Sequence, residues 1–282
     1  MVIDDLHHTA QRNLKHLRLI TPIQFSWSNH PTIPTALASL STKLPDTLVT
    51  LSMDCPIPLS FISKLTNLQE LIIKKMNHLD PIQFESIQYV ELPRLRVLKF
   101  PMGGPTDESL INFLRINGKN LKRVHFDDSL NTALVELCPN LKSFHTKLSD
   151  DDVESLKGIL EGLQQLESVE VECSDQIKSL EMIAKHSPKL FHELNIWFTG
   201  YPIHPLELFL ERLKPVLTSW ANRIPQKPLS LIIECSRTDR FQKEDMGTIE
   251  NFVRSGVVKK FDIIRRDEIL GMYGVLHQCS VA

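Results

Sequence analysis

Residues 138–150 read CPNLKSFHTKLSD, with Leu141, Phe144 and Thr146 in an L-x-x-F-x-T spacing. Side chains alternate along a strand, so Phe144 and Thr146 would point to one side while Leu141 packs in the turn that enters the strand. One such unit cannot bury its own face. The spacing therefore implies stacking, and stacking requires that it recur.

It recurs along the chain. Leu14, Leu17 and Leu19 fit L-x-x-L-x-L, as do Leu48, Leu51 and Met53, then Leu68, Leu71 and Ile73. Leu95, Leu98 and Phe100 follow, then Leu121, Val124 and Phe126, then Leu166, Val169 and Val171. Phe191, Leu194 and Ile196 fit, with Leu190 marking a one-residue slip. Pro228, Leu231 and Ile233, then Val258, Phe261 and Ile263, are weaker copies. First positions lie 20 to 37 residues apart, and their mean of about 27 falls in the leucine-rich-repeat range.

Helical stretches lie between the strands. Ser149 with Asp150, Asp151 and Asp152 reads as a capped, acidic helix start, and Val153, Leu156, Ile159, Leu160 and Leu163 give it an apolar stripe. Ile203, Leu206, Leu210, Leu213, Leu217 and Trp220 mark a second helix. Thr106 and Asp107 open a third through Leu110, Phe113 and Leu114, and 239–254 forms a fourth. The turns LPRL, CPNL, SPKL and LTNL precede strands, where proline fits a turn and would not fit a central strand. The expected fold class is α/β: a leucine-rich-repeat solenoid, a horseshoe or arc with parallel strands on the concave face and helices on the convex face. It spans 1–265, most regularly 92–200. Residues 266–282 show no repeat and read as a C-terminal cap or tail.

The totals restrict function. The chain has 282 residues, 42% hydrophobic and 23% charged, a globular composition. A net charge of -2, from 32 basic and 34 acidic residues, makes no case for nucleic acid or an anionic membrane. No apolar run approaches the roughly 18 residues of a membrane span, and the N-terminus lacks a secretory-signal pattern. Five cysteines without a C-x-x-C pair favour a reduced setting, so the expected location is intracellular, cytoplasmic or nuclear. Cys55, Cys173 and Cys235 each lie seven residues after a first position and read as small buried residues.

Four stretches carry a family resemblance: GILEGLQQLESVEVECSD (158–175), AKHSPKLFHELNIWF (184–198), WANRIPQKPLSLIIE (220–234) and GVVKKFDII (256–264). They resemble the C-terminal repeats of the F-box/leucine-rich-repeat-like family expanded in arbuscular mycorrhizal fungi. The likeness covers roughly residues 90–265. It implies a non-catalytic substrate-recognition region of a cullin-type ubiquitin ligase; the alternative is a repeat scaffold with no ubiquitin link. The F-box itself is absent. Thirteen residues precede Leu14, too few for three helices of about 10 residues each. An adaptor partner is thus expected only if an F-box lies upstream.

In such an array the residues beside the inward ones face the concave surface. Arg123, His125, His145 and Lys147 form an expected basic patch and Glu170, Glu172 and Glu193 an acidic one, with Asn195 alongside and Trp197 as an exposed aromatic of the kind enriched at binding hot spots. This two-signed strip is the candidate surface for a protein partner. A plainly solvated sheet face is the competing reading.

Catalytic and metal readings fail on spacing. His125 with Asp127, or His145 with Asp150, has no nucleophile in a defined arrangement. His7 and His8 diverge in a helix and lack further ligands. Met102-Gly-Gly-Pro105 lacks the spacing of a phosphate loop. Lys74-Lys75 and Lys259-Lys260 are too short for nucleic acid. No catalytic residue, metal or cofactor is expected.

Overall fold

The structure is a computed structural model that describes residues 13–20, 44–54, 59–74, 84–101, 104–105, 107–126, 131–148, 153–173, 176–198, 206–223, 227–235, 247–265 and 277–281. The chain divides into two compact units, Met1–Ala133 and Leu134–Ala282.

The first unit is a parallel ladder paired in chain order: β1 (His16–Ile20), β2 (Thr50–Asp54), β3 (Glu70–Ile73), β4 (Val97–Phe100) and β5 (Arg123–Phe126). The register aligns Leu17, Leu51, Leu71, Leu98 and Val124 in one row, and all five are buried. The first-position leucines Leu48, Leu68, Leu95 and Leu121 are buried with them. One backbone device recurs at each seam, where a single carbonyl takes two N–H donors from the next repeat. Lys15 O accepts from Val49 and Thr50, Val49 O from Gln69 and Glu70, Gln69 O from Arg96 and Val97, and Arg96 O from Lys122 and Arg123. These bonds satisfy the backbone of the turn, so the stack is specified by main chain as well as by leucines.

The outer layer varies from repeat to repeat. The 20-residue interval from Leu48 to Leu68 holds a 3-10 turn, Ser60–Lys64, among its described residues. The longer interval after Leu95 accommodates α1 (Asp107–Asn117). Its Leu110, Phe113 and Leu114 are buried as the 3.6-residue period requires. Phe84 sits edge-on to Phe100 at 5.5 Å and to Phe113 at 5.2 Å, tying the outer layer to the strands. Each buried ring of this size contributes about 1.5–3 kcal/mol of hydrophobic stabilisation. Asn117 closes α1. It is fully buried and satisfied, donating to Val90 O (2.9 Å) and Phe113 O (3.2 Å) and accepting from Leu92 N–H (2.8 Å).

The unit boundary falls within α2 (Asn131–Leu137). The second unit pairs β6 (Ser143–Leu148), β7 (Ser168–Cys173), β8 (Glu193–Phe198), β9 (Leu229–Cys235) and β10 (Val258–Arg265) in parallel. The connecting helices are α3 (Val153–Gly162), α4 (Gln176–His186), α5 (Leu206–Ala221) and α6 (Gly247–Arg254). The 37-residue interval holds the longest of these, the 16 residues of α5. The two-donor seam repeats here, at Lys142 O from Glu167 and Ser168 and at Glu167 O from His192 and Glu193. Gly256 ends α6 at φ 74°, with Gly256 N–H on Val253 O and Val257 N–H on Phe252 O. This is a Schellman ending, in which glycine takes the left-handed conformation without a Cβ penalty.

Among the described residues each unit is thus an α/β leucine-rich-repeat ladder of five parallel strands. Three details differ from the sequence expectation. Pro228 is exposed, and Leu229 is buried in its place. β10 carries a register shift between Val258 and Lys260, which puts both Lys259 and Lys260 at the surface. Residues 277–281 form β11 (His277–Val281), antiparallel to β10, an element that the repeat spacing does not announce. Among the described residues no helix is long and apolar enough to cross a membrane. Expectations for His7, His8, Cys55, Met102, Asp127, Ser149 to Asp152, Ile203 and residues 239–246 lie outside the described residues.

Candidate functional site

In the second unit the inward side chains of the ladder are packed. Phe144, Val169, Leu194, Leu231 and Phe261 make one row, and Thr146, Val171, Ile196, Ile233 and Ile263 the next. Alternation then turns the residues between them to the opposite face. The register sets these in two further rows: His145, Glu170, Asn195, Ile232 and Asp262, then Lys147, Glu172, Trp197, Glu234 and Ile264.

Basic and acidic side chains meet across the β6–β7 seam. His145 Nδ1 lies 3.4 Å from Glu170 Oε1, and Lys147 Nζ 2.6 Å from Glu172 Oε1. The basic and acidic residues therefore interdigitate as cross-strand pairs. His145 and Glu172 are buried, Glu170 and Trp197 half-buried, and Lys147 and Glu193 exposed. Trp197 is thus less open than its sequence position implies. Its register neighbours are Glu172 on β7 and Glu234 on β9. Half-buried Asn195 donates from Nδ2 to Glu234 Oε1 at 3.0 Å. Its Oδ1 is buried and accepts no hydrogen bond among the described residues. At the far side Lys260 Nζ pairs with the fully buried Asp262.

Two predicted residues, Arg123 and His125, belong to β5 of the first unit, where Arg123 is exposed and His125 half-buried. The neighbouring Lys99 Nζ lies 3.3 Å from Glu70 Oε1. The other seven, His145, Lys147, Glu170, Glu172, Glu193, Asn195 and Trp197, share the outward face of β6–β8 in the second unit.

Sequence reasoning missed Glu234, the partner of Asn195. It stands two residues beyond Ile232, the same step that leads from Asn195 to Trp197, so the repeat offset was sufficient to find it. Just before these strands Glu167 accepts from Lys142 Nζ at 2.7 Å. That hydrogen bond is the main cause holding its carboxyl below the ordinary range, against a smaller upward push from burial. Cys138 lies under the ladder, where burial pushes its thiol up to about 12. At that value it is protonated at neutral pH and inert as a nucleophile or ligand.

No family model and no curated protein matches the chain. Among solved structures, the chain is similar to an internalin (inlF) from Listeria monocytogenes, at 13% sequence identity and a TM-score of 0.36. The match covers 80% of this chain and 63% of that one. The assignment of the fold rests on the strand register and the repeat spacing.

Proposed function

We propose that this chain is a non-catalytic protein-interaction module, with the outward face of β6–β9 as its partner surface, working inside the cell. The observation that carries this reading is the row Lys147, Glu172, Trp197 and Glu234. It sets charged and aromatic side chains at fixed spacing on a ladder whose other face is packed. Such a surface is pre-organised, so little side-chain ordering remains to oppose association. A half-buried tryptophan among polar neighbours is also the type of residue on which binding energy concentrates.

The finer form of the proposal is target recognition for a cullin-type ubiquitin ligase. Its support is the resemblance over 158–175, 184–198, 220–234 and 256–264, stretches that take in the ends of α3, α4 and α5 together with strand residues of β7, β8, β9 and β10. A scaffold without a ubiquitin link is the alternative.

The test is capture from lysate with the wild-type chain and with the triple variant Glu170→Lys, Glu193→Lys, Trp197→Ala, after matched melting curves have shown both to be folded. Selective loss of a partner from the variant is the expected result. An unchanged partner set would overturn the proposal. Co-elution of cullin and its adaptor with the captured target separates the ligase form from the scaffold.

A further inference from the structure

Gly118 is the one glycine of the chain that follows an asparagine or aspartate, Asn117. An asparagine carboxamide and the next backbone nitrogen can close a five-membered ring, and glycine carries no side chain to obstruct the approach. Asn112, Asn140 and Asn195 are followed instead by Phe113, Leu141 and Ile196. The most reactive asparagine of the chain therefore stands where α1 ends. The folded turn withholds what the reaction needs. Ring closure brings Cβ and the Gly118 nitrogen close to eclipsed about the Cα–C bond, and a ψ of -17° at Asn117 holds them far from that geometry. The carboxamide is pinned at both ends, with Nδ2 donating to Val90 O and Phe113 O and Oδ1 accepting from Leu92 N–H. Asn117 and Gly118 are both buried, so water is kept from the site and a charged tetrahedral centre would form out of solvent.

We infer that Asn117–Gly118 is a deamidation site gated by the fold: opening of this turn lets Asn117 convert, and the product bars the turn from closing natively. The Gly118 nitrogen attacks Asn117 Cγ. Its C–N bond forms as the Cγ–Nδ2 bond breaks, and the amide proton leaves with Nδ2 as ammonia. Water then opens the cyclic imide at either carbonyl, and the nitrogen recovers a proton. Attack at Cγ gives aspartate, and attack at the main-chain carbonyl gives isoaspartate. Water is the only co-reactant, and nothing is oxidised or reduced. Neither product fits the native turn. Aspartate sets a carboxylate against Val90 O and Phe113 O, which both need a donor. Isoaspartate routes the main chain through Cβ, so the bond from Leu92 N–H and the two bonds from Nδ2 lose their register together. The end of α1 is thereby a one-way record of opening in the first unit.

The test is peptide mapping of the full-length protein aged in mildly alkaline buffer, with and without denaturant, the aspartate and isoaspartate forms being separated from the parent peptide. In denaturant Asn117 should convert ahead of Asn112, Asn140 and Asn195, with both products present, and Gly118→Ala should remove that lead. In buffer alone the wild-type site should convert about a hundredfold more slowly, because conversion follows the population of the opened form. Conversion in buffer at the rate seen in denaturant would overturn the inference, as would an Asn117 no faster than Asn140 in the opened chain. Gly118→Ala is read in denaturant, so its comparison stands even if that variant does not fold. Asn117→Asp supplies the linear product directly. It should melt below wild type or fail to fold, and a melting curve matching wild type would overturn the one-way step.

Discussion

The guanidinium of Arg223 lies 4.2 Å above the ring of Trp220 and fastens the end of α5 to the end of α4. Its N–H groups donate to Ser187 Oγ at 2.6 Å, to Ser187 O and to Pro188 O at 3.1 Å. These carbonyls follow the last residue of α4, where a helix leaves acceptors without intrahelical donors. Trp220 is held in turn by its Nε1–H on Lys227 O and by Phe191 against its edge. Arg223→Ala should lower unfolding free energy by about 2 kcal/mol, since buried acceptors lose their donors and the ring loses its cation. Arg223→Lys should restore less than half, because a lysine cannot reproduce the fork. Urea denaturation at constant m-value checks both.

Asn117 acts as donor and acceptor at once, which makes its isosteres informative. Asn117→Asp keeps the acceptor for Leu92 N–H but sets a carboxylate against Val90 O and Phe113 O. The expected cost at neutral pH is about 2–3 kcal/mol. Protonation of the new carboxyl should restore part of it, so the gap to wild type should narrow as pH falls. An Asn117→Asp variant as stable as wild type at pH 7 would show that the three hydrogen bonds do not hold this turn.

Glu167 gives the native chain a small acid dependence of its own. Its carboxyl is held low by Lys142. A carboxyl with a depressed folded pKa adds stability above its unfolded value, near pH 4.3, and that stability is lost as pH falls through the folded value. The pair is largely exposed, so its worth is a few tenths of a kcal/mol. Lys142→Met should therefore lower the melting temperature slightly at pH 7, and the difference should close as pH falls through the folded value of Glu167. A difference that persists there would place the effect in packing of the lysine stem.

Cys138 should be silent toward alkylation while the chain is folded. With the thiol pushed up to about 12 by burial, roughly one molecule in ten thousand is thiolate at pH 8. Iodoacetamide followed by peptide mapping should leave Cys138 unmodified in buffer and label it fully in denaturant. Labelling in the native state would show local opening beneath β6.

The repeat was legible because burial in a stacked ladder demands the same side chain at the same place. Leu51, Leu71, Leu98 and Val124 are each required by the strand next door. Elements held by main chain leave a weaker trace. β11 pairs through backbone hydrogen bonds with β10, and HQCSV carries no apolar period to announce it. In α4, QIKSLEMIAKH, Ile177, Leu180, Ile183 and Ala184 fall at helical spacing and the last three are buried, so this helix was within reach of the sequence although the repeat search passed over it. At the candidate site, the offset from the repeat located which residues face outward. It did not foretell that His145 and Glu172 are buried, because cross-strand pairing covers them and depends on two chain segments at once. Glu234 was reachable by that same offset. Its bond to Asn195, from 39 residues away, was not.

The reversal at β11 sets where such a chain can grow. A repeat copied between β6 and β8 meets parallel neighbours on both sides and inherits the seam in which one carbonyl takes two donors. A repeat copied after β11 meets a strand running the other way, with the hydrogen-bond spacing of an antiparallel edge. Lengthening by gene duplication is therefore accommodated within the ladder and penalised beyond residue 281. Descendants would vary their partner surface by inserting or losing whole internal columns while the reversed strand stays in place.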